Sequence, residues 1–169
     1  PMVSDSKEIS NSIQVTTYKK LSRSSDIVNK ISVYAKAINS LDDNVRISKR
    51  LNVPYSRLRG FEKGKIGPVD NKDYVGGNYV STFNISTTLP NVFKDLENLD
   101  FSIFLDAANV WGLDYNKSLD DNSKIRSSTG LAVNFLTPIG PLSFSFSNVL
   151  SKSSSDKTET FRFNLGTTF

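Results

Sequence analysis

Glu159-Thr160-Phe161-Arg162-Phe163-Asn164-Leu165-Gly166-Thr167-Thr168-Phe169 is the stretch whose reading decides the fold. Counted in twos, Phe161, Phe163, Leu165, Thr167 and Phe169 share one parity. Thr160, Arg162, Asn164, Gly166 and Thr168 share the other, which carries no apolar side chain. Side chains of a strand alternate faces, so the stretch reads as a strand between a greasy and a wet environment. A transmembrane strand needs about 9–11 residues, and this one has that length. Chain ends usually fray, and an aromatic end suits anchoring in lipid better than fraying in water. Residues 159–169 are therefore expected to form a lipid-facing terminal strand of an outer-membrane barrel.

The same alternation recurs upstream. Leu142–Leu150 sets Leu142, Phe144 and Phe146 against Ser143, Ser145 and Ser147. Ile125–Thr137 places Leu131, Val133 and Phe135 opposite Arg126, Ser128, Gly130 and Asn134. In Phe101–Gly112 the outward parity is Phe101, Ile103, Leu105, Ala107 and Trp111, with Asp106 on the wet side. Gly76–Leu89 gives Tyr79, Phe83, Ile85 and Leu89 on one face, with Val80 as the exception on the other. Ser10–Leu21 and Ile27–Ile38 make a hairpin around the polar turn Ser22–Asp26, although Ile27–Ile38 also reads as an amphipathic helix. Seven antiparallel strands result. Tight Thr137–Pro141 alternates with the longer hydrophilic Asp114–Lys124 and Ser151–Thr158, which suits short periplasmic turns and longer outer loops. Leu89–Leu99 is long for such a turn. Trp111 stands at a strand end, where an interfacial ring belongs.

Residues 40–75 form the longest stretch without clear strand patterning, and a loop of that length in a domain is functional or disordered. Val45–Leu51 inside it alternates and is expected to extend a strand above the membrane. Alternation alone leaves a soluble immunoglobulin-like sandwich equally open.

Composition narrows the chemistry. The 169 residues are read as one domain, 1–169, and no apolar run reaches the length of a transmembrane helix. Hydrophobic residues make up 37%, while aromatics reach 11%, which suits strands greasy on one face only. The net charge of +4 is spread without a basic block, so no nucleic-acid partner is expected. With no His and no Cys, thiol chemistry and the commonest acid–base group are absent; no enzyme activity, cofactor or metal site is expected. Asp42-Asp43 and Asp120-Asp121 point apart on an extended chain and read as hydrated loop tips, with a loose calcium contact as the alternative. Pro1 is not a natural start and no signal peptide precedes the first strand, so the chain is expected to be a piece of a longer protein.

Several landmarks come in a fixed order: Leu58-Arg59-Gly60-Phe61, Ile66-Gly67-Pro68, Gly76-Gly77-Asn78, Asp106-Ala107-Ala108-Asn109-Val110-Trp111, Pro138-Ile139-Gly140-Pro141-Leu142 and the terminal Phe161–Phe169. With them the chain resembles, from Val45 to Phe169, the carboxy-terminal part of the BamA outer-membrane assembly factors and their bacterial surface antigen relatives. The resemblance implies an all-β fold: an antiparallel transmembrane β-barrel portion, about seven strands of a sixteen-stranded barrel. It also implies that the loop 40–75 turns into the lumen, with Arg59, Gly60 and Phe61 as its motif and Asp106 as the wall residue that anchors it. A guanidinium fork on a carboxylate is a geometrically fixed contact.

Phe161, Phe163, Leu165, Gly166 and Phe169 would supply the terminal strand signal and one side of a seam. The implied function is folding and insertion of client β-barrel proteins in the outer membrane of a Gram-negative bacterium. Its implied partners are the lipid bilayer, client barrels and accessory assembly lipoproteins. An exporting relative of the same barrel family is the alternative. The sequence departs from the family pattern at Ser86, where relatives carry a second wall acid, at Ala108 and at Asn52–Ser56. The first and last strands would be open edges, so the piece alone is expected to misfold, oligomerise or close abnormally.

Overall fold

The computed structural model describes residues 7–21, 26–89, 99–119, 124–137 and 140–165. Among these, one seven-stranded sheet carries the fold. Its strands are β1 (Glu8–Lys20), β2 (Val28–Ser40), β5 (Tyr79–Leu89), β6 (Leu99–Trp111), β7 (Arg126–Thr137), β8 (Gly140–Ser151) and β9 (Phe161–Leu165), ordered as in the chain. Every neighbouring pair is antiparallel. A small hairpin, β3 (Val69–Asp70) with β4 (Asp73–Tyr74), lies in the long connection between β2 and β5.

Register turns the sequence alternation into two faces. Val15 faces Val33, Val33 faces Phe83, and Phe83 faces Ala107, so one parity runs across four strands on one surface. That surface also exposes Ile103, Leu131, Phe146 and Leu165. Phe161 and Phe163 belong to it, at 49% and 50% exposure. Their rings lie beside Phe146 and Phe144, with centroids 5.0 Å and 5.1 Å apart. An apolar band of this breadth left open in water would be costly, while toward acyl chains it is the expected surface. Near one end Tyr79 and Trp111 pair as tilted rings, centroids 5.8 Å apart. No helix among the described residues is long and apolar enough to cross a membrane; the crossing elements are strands.

The opposite face is not simply wet. Val45, Leu51, Val53, Leu58, Phe61 and Ile66 of the long connection are buried against Ile38, Val80, Ala108 and Val110 of the wall. Val80, the exception to the alternation, is apolar because it lies under this plug. The wet environment expected of that face is therefore corrected where the loop lies on it, since the loop brings its own core.

The hairpin reading of Ile27–Ile38 holds and the helical alternative does not, since β2 pairs on both sides, with β1 and β5. Two further expectations are revised. Val45–Leu51 does not extend a strand. Ile47–Lys49 is a turn of 3₁₀ helix, and only Leu51 bridges Gly77, because Arg50 and Val45 turn inward onto the wall. Residues 69–74, read as loop, form the β3–β4 hairpin around Asn71 and Lys72, both with positive φ, as a tight primed turn requires. The turn residues 22–25, most of Leu89–Leu99, Asp120-Asp121, Pro138-Ile139, Gly166 and Phe169 lie outside the described residues. Asp42 and Asp43 are exposed.

Candidate functional site

The centre of the inner face is a tiered stack built on three elements. Gly130 of β7 faces Phe104 of β6, and a Cβ built on Gly130 would sit 2.8 Å from the Phe104 ring. The bare glycine thus lets the ring lie flat on the wall. Arg59 lies on that ring, its guanidinium carbon 3.5 Å from the centroid. A guanidinium over an aromatic face is attracted by the ring quadrupole.

Asp106, two residues along β6 and so on the same face, closes the stack. Arg59 donates from Nε to Oδ2 at 2.7 Å and from Nη2 to Oδ1 at 2.8 Å. The Arg59 backbone N–H also reaches Oδ2, at 3.1 Å. Asn84 of β5 donates to Oδ1 at 2.9 Å, and it donates equally to the Arg57 carbonyl at 2.6 Å. Ser128 of β7 donates its hydroxyl to the Arg59 carbonyl at 2.5 Å. Asp106 is 0% exposed, so its charge depends on these donors.

Gly60 follows with φ +86°, a left-handed conformation that glycine adopts without the Cβ penalty. A Cβ there would lie 3.1 Å from that of Ser147 and 3.2 Å from that of Ser128, so the loop tip rides directly on β7 and β8. Phe61 is buried in the plug and bridges Thr158 in antiparallel fashion. Arg59, Gly60, Phe61 and Asp106 are thus gathered at one place. Phe161, Phe163 and Leu165 stand on the other face of the sheet and touch none of them.

Arginines that the sequence reading assigned no partner complete the arrangement. Arg162 of β9 points inward and donates to the Tyr55, Leu58 and Phe61 carbonyls. Arg126 of β7 meets Asp156 in the β8–β9 connection, and Asp156 also accepts from the Gly67 N–H at 3.3 Å. Arg50 meets Asp114, just past β6, at 2.6 Å and lies over Tyr115. Burial would raise the Asp114 carboxyl, but the Val45 N–H, the Asn78 amide and Arg50 together hold it below the ordinary carboxylate value. A signal for Arg162 was present: a long cation on the wet parity of a strand must find acceptors inside. For Asp156 and Asp114 no local signal exists.

Chemically this is a set of charge-assisted clamps on one loop. Among the described residues no cluster of potential ligands for a metal ion occurs.

The comparisons agree with this architecture. Residues 2–169 match the Omp85 superfamily domain. The outer membrane protein assembly factor BamA of Neisseria meningitidis serogroup B is 32% identical, over 66% of this chain and 17% of its own length. BamA of Neorickettsia risticii is 26% identical over 68% of this chain and 16% of its own length. The chain therefore spans about a sixth of those relatives. The crystal structure of Haemophilus ducreyi BamA lacking POTRA domains 1-3 superposes with a TM-score of 0.85 at 27% identity, covering 94% of this chain and 35% of that one. Seven strands, a lipid-facing band and a clamped inner loop are accounted for together: the chain belongs to the Omp85 superfamily and forms part of its outer-membrane β-barrel.

Proposed function

We propose that this chain serves in the folding and insertion of client β-barrel proteins in the outer membrane of a Gram-negative bacterium. The observation that carries the reading is the strand β9, which among the described residues pairs with β8 on one edge while its inner side is tied to the clamped loop. The names of the relatives support it. An incoming strand can add to a strand edge through main-chain hydrogen bonds, with side-chain pockets supplying selectivity. That step forms and breaks no covalent bond, so neither a catalytic residue nor a cofactor is required of this chain. The partners in this reading are the bilayer, client barrels and accessory assembly lipoproteins.

The test is depletion of the full-length protein in its own cells, followed by fractionation of the outer membrane. Loss of many unrelated barrel proteins from that fraction is the expected result. Normal barrel levels with failed export of one secreted protein would overturn it in favour of an exporting relative.

A further inference from the structure

Arg162 is 3% exposed and sits on β9, yet its acceptors lie outside the sheet. Its Nη1 donates to the Tyr55 carbonyl at 2.5 Å, and its Nη2 to the Leu58 and Phe61 carbonyls at 3.0 Å and 2.8 Å. Nε donates to Glu159 at 2.5 Å, and the guanidinium lies 3.6 Å from the centre of the Tyr55 ring. Tyr55 in turn donates its hydroxyl to Glu159 at 3.1 Å. Three of the acceptors are main-chain carbonyls of one short segment, so they converge only while residues 55–61 keep their docked fold.

The backbone repeats the link. Glu159 N–H donates to the Gly60 carbonyl, Glu62 N–H to the Lys157 carbonyl, and Lys157 N–H to the Lys65 carbonyl. Residues 157–159 therefore pair with the loop and not with β8. The chain returns to the wall at Thr160, whose carbonyl accepts from Ser147 N–H, and only then begins β9. Undocking the loop would strand a buried guanidinium on β9; moving β9 would strip the loop of its donors. Either change leaves desolvated polar groups unmet.

We propose that Arg162 is a positioning residue that joins the lumen loop and the terminal strand into one body, so that the docking state of residues 55–61 sets the position of the seam strand. The coupling is reciprocal, as any coupling of two equilibria must be. The geometry stands without the assembly function, but the importance of that function's seam rests on the reading above.

The test is hydrogen exchange on the full-length barrel in detergent, with heat-modifiable migration as the check that each variant is folded. Arg162→Gln is expected to raise exchange in residues 55–61 and 158–165 together, by about tenfold, with Arg162→Lys intermediate because an ammonium cannot reproduce the fork. Asp106→Asn, a change on the wall remote from β9, is expected to raise exchange in both segments as well. This arm decides the matter even if Arg162→Gln does not fold. Faster exchange of 55–61 in Asp106→Asn, with 158–165 unchanged, overturns the proposal. The readout is structural, so it succeeds or fails independently of any assay of client assembly.

Discussion

Arg126 and Asp156 form a two-pronged ion pair, Nε to Oδ2 at 2.9 Å and Nη2 to Oδ1 at 3.1 Å, with neither side chain open to solvent. The pair fastens β7 to the β8–β9 connection, and through the Gly67 N–H it fastens the long β2–β5 connection to both. Breaking one member of a buried pair strands a charge, at about 3–5 kcal/mol. Asp156→Ala should therefore lower the folded barrel's stability by about that amount, read as a fall in the midpoint of heat-modifiable migration. Arg126→Met with Asp156→Leu should recover part of the loss and not all, because the Gly67 and Ser153 N–H groups still lose their acceptor. A double variant no better than Asp156→Ala alone would count against the stranded charge as the cause.

The Arg59–Asp106 contact predicts an asymmetric charge swap. Either single reversal sets like charges against each other at a wall position that is 0% exposed, where screening is weak. The double swap Arg59→Asp with Asp106→Arg restores the opposite signs, but a guanidinium at 106 cannot accept from the backbone N–H of residue 59 or from Asn84, as the Asp106 carboxylate does. Hydrogen bonds to charged groups are each worth about 1.5–3 kcal/mol. Protease protection of residues 52–66 should thus vanish in both single variants and return only in part in the double. Harmless single variants would remove this contact from any account of the loop.

Gly130→Ala tests the floor of the stack. Its Cβ would lie 2.0 Å from the Phe146 carbonyl oxygen and 2.8 Å from the Phe104 ring, and the carbonyl belongs to backbone that cannot swing away. Overpacking of this kind typically costs about 1–3 kcal/mol. Lower barrel stability is expected together with loss of loop protection, since Phe104 carries Arg59. Stability lost with loop protection intact would mean that the ring does not support the guanidinium.

The Asp114 cluster predicts acid release of one end of the loop. Its folded carboxyl titrates below the ordinary value, so the unfolded state binds the proton more readily. The stabilisation is complete above an unfolded value of about 3.9 and is lost as pH falls through the lower folded one. Protection of residues 45–51 should accordingly fall below about pH 4 and stay flat above it. In Asp114→Asn the same step should be absent, and a step that persists would belong to another group.

The strands and the direction each side chain faces were readable from the chain because alternation is local. Ser143, Ser145 and Ser147 between Leu142, Phe144 and Phe146 state two environments whatever the rest of the protein does. The mistaken points were local rules outvoted by distant contacts. Val45–Leu51 alternates, but Asp114 and Gly77 draw its backbone inward. Val80 breaks its own pattern because a loop from elsewhere covers it.

The sequence by itself thus determined the strands, the two-faced character of each and, through its ordered landmarks, the family; the single sheet and its strand order came with the structure. The resemblance named Arg59 and Asp106 as partners, but the tertiary structure alone decided the other meetings: Arg126 finds Asp156 across 30 positions, and Arg162 finds the Leu58 carbonyl across 104. Alternation reports the medium a side chain faces, because that depends on the strand it sits in. A partner depends on where the folded loop brings another part of the chain, and no local period encodes that distance.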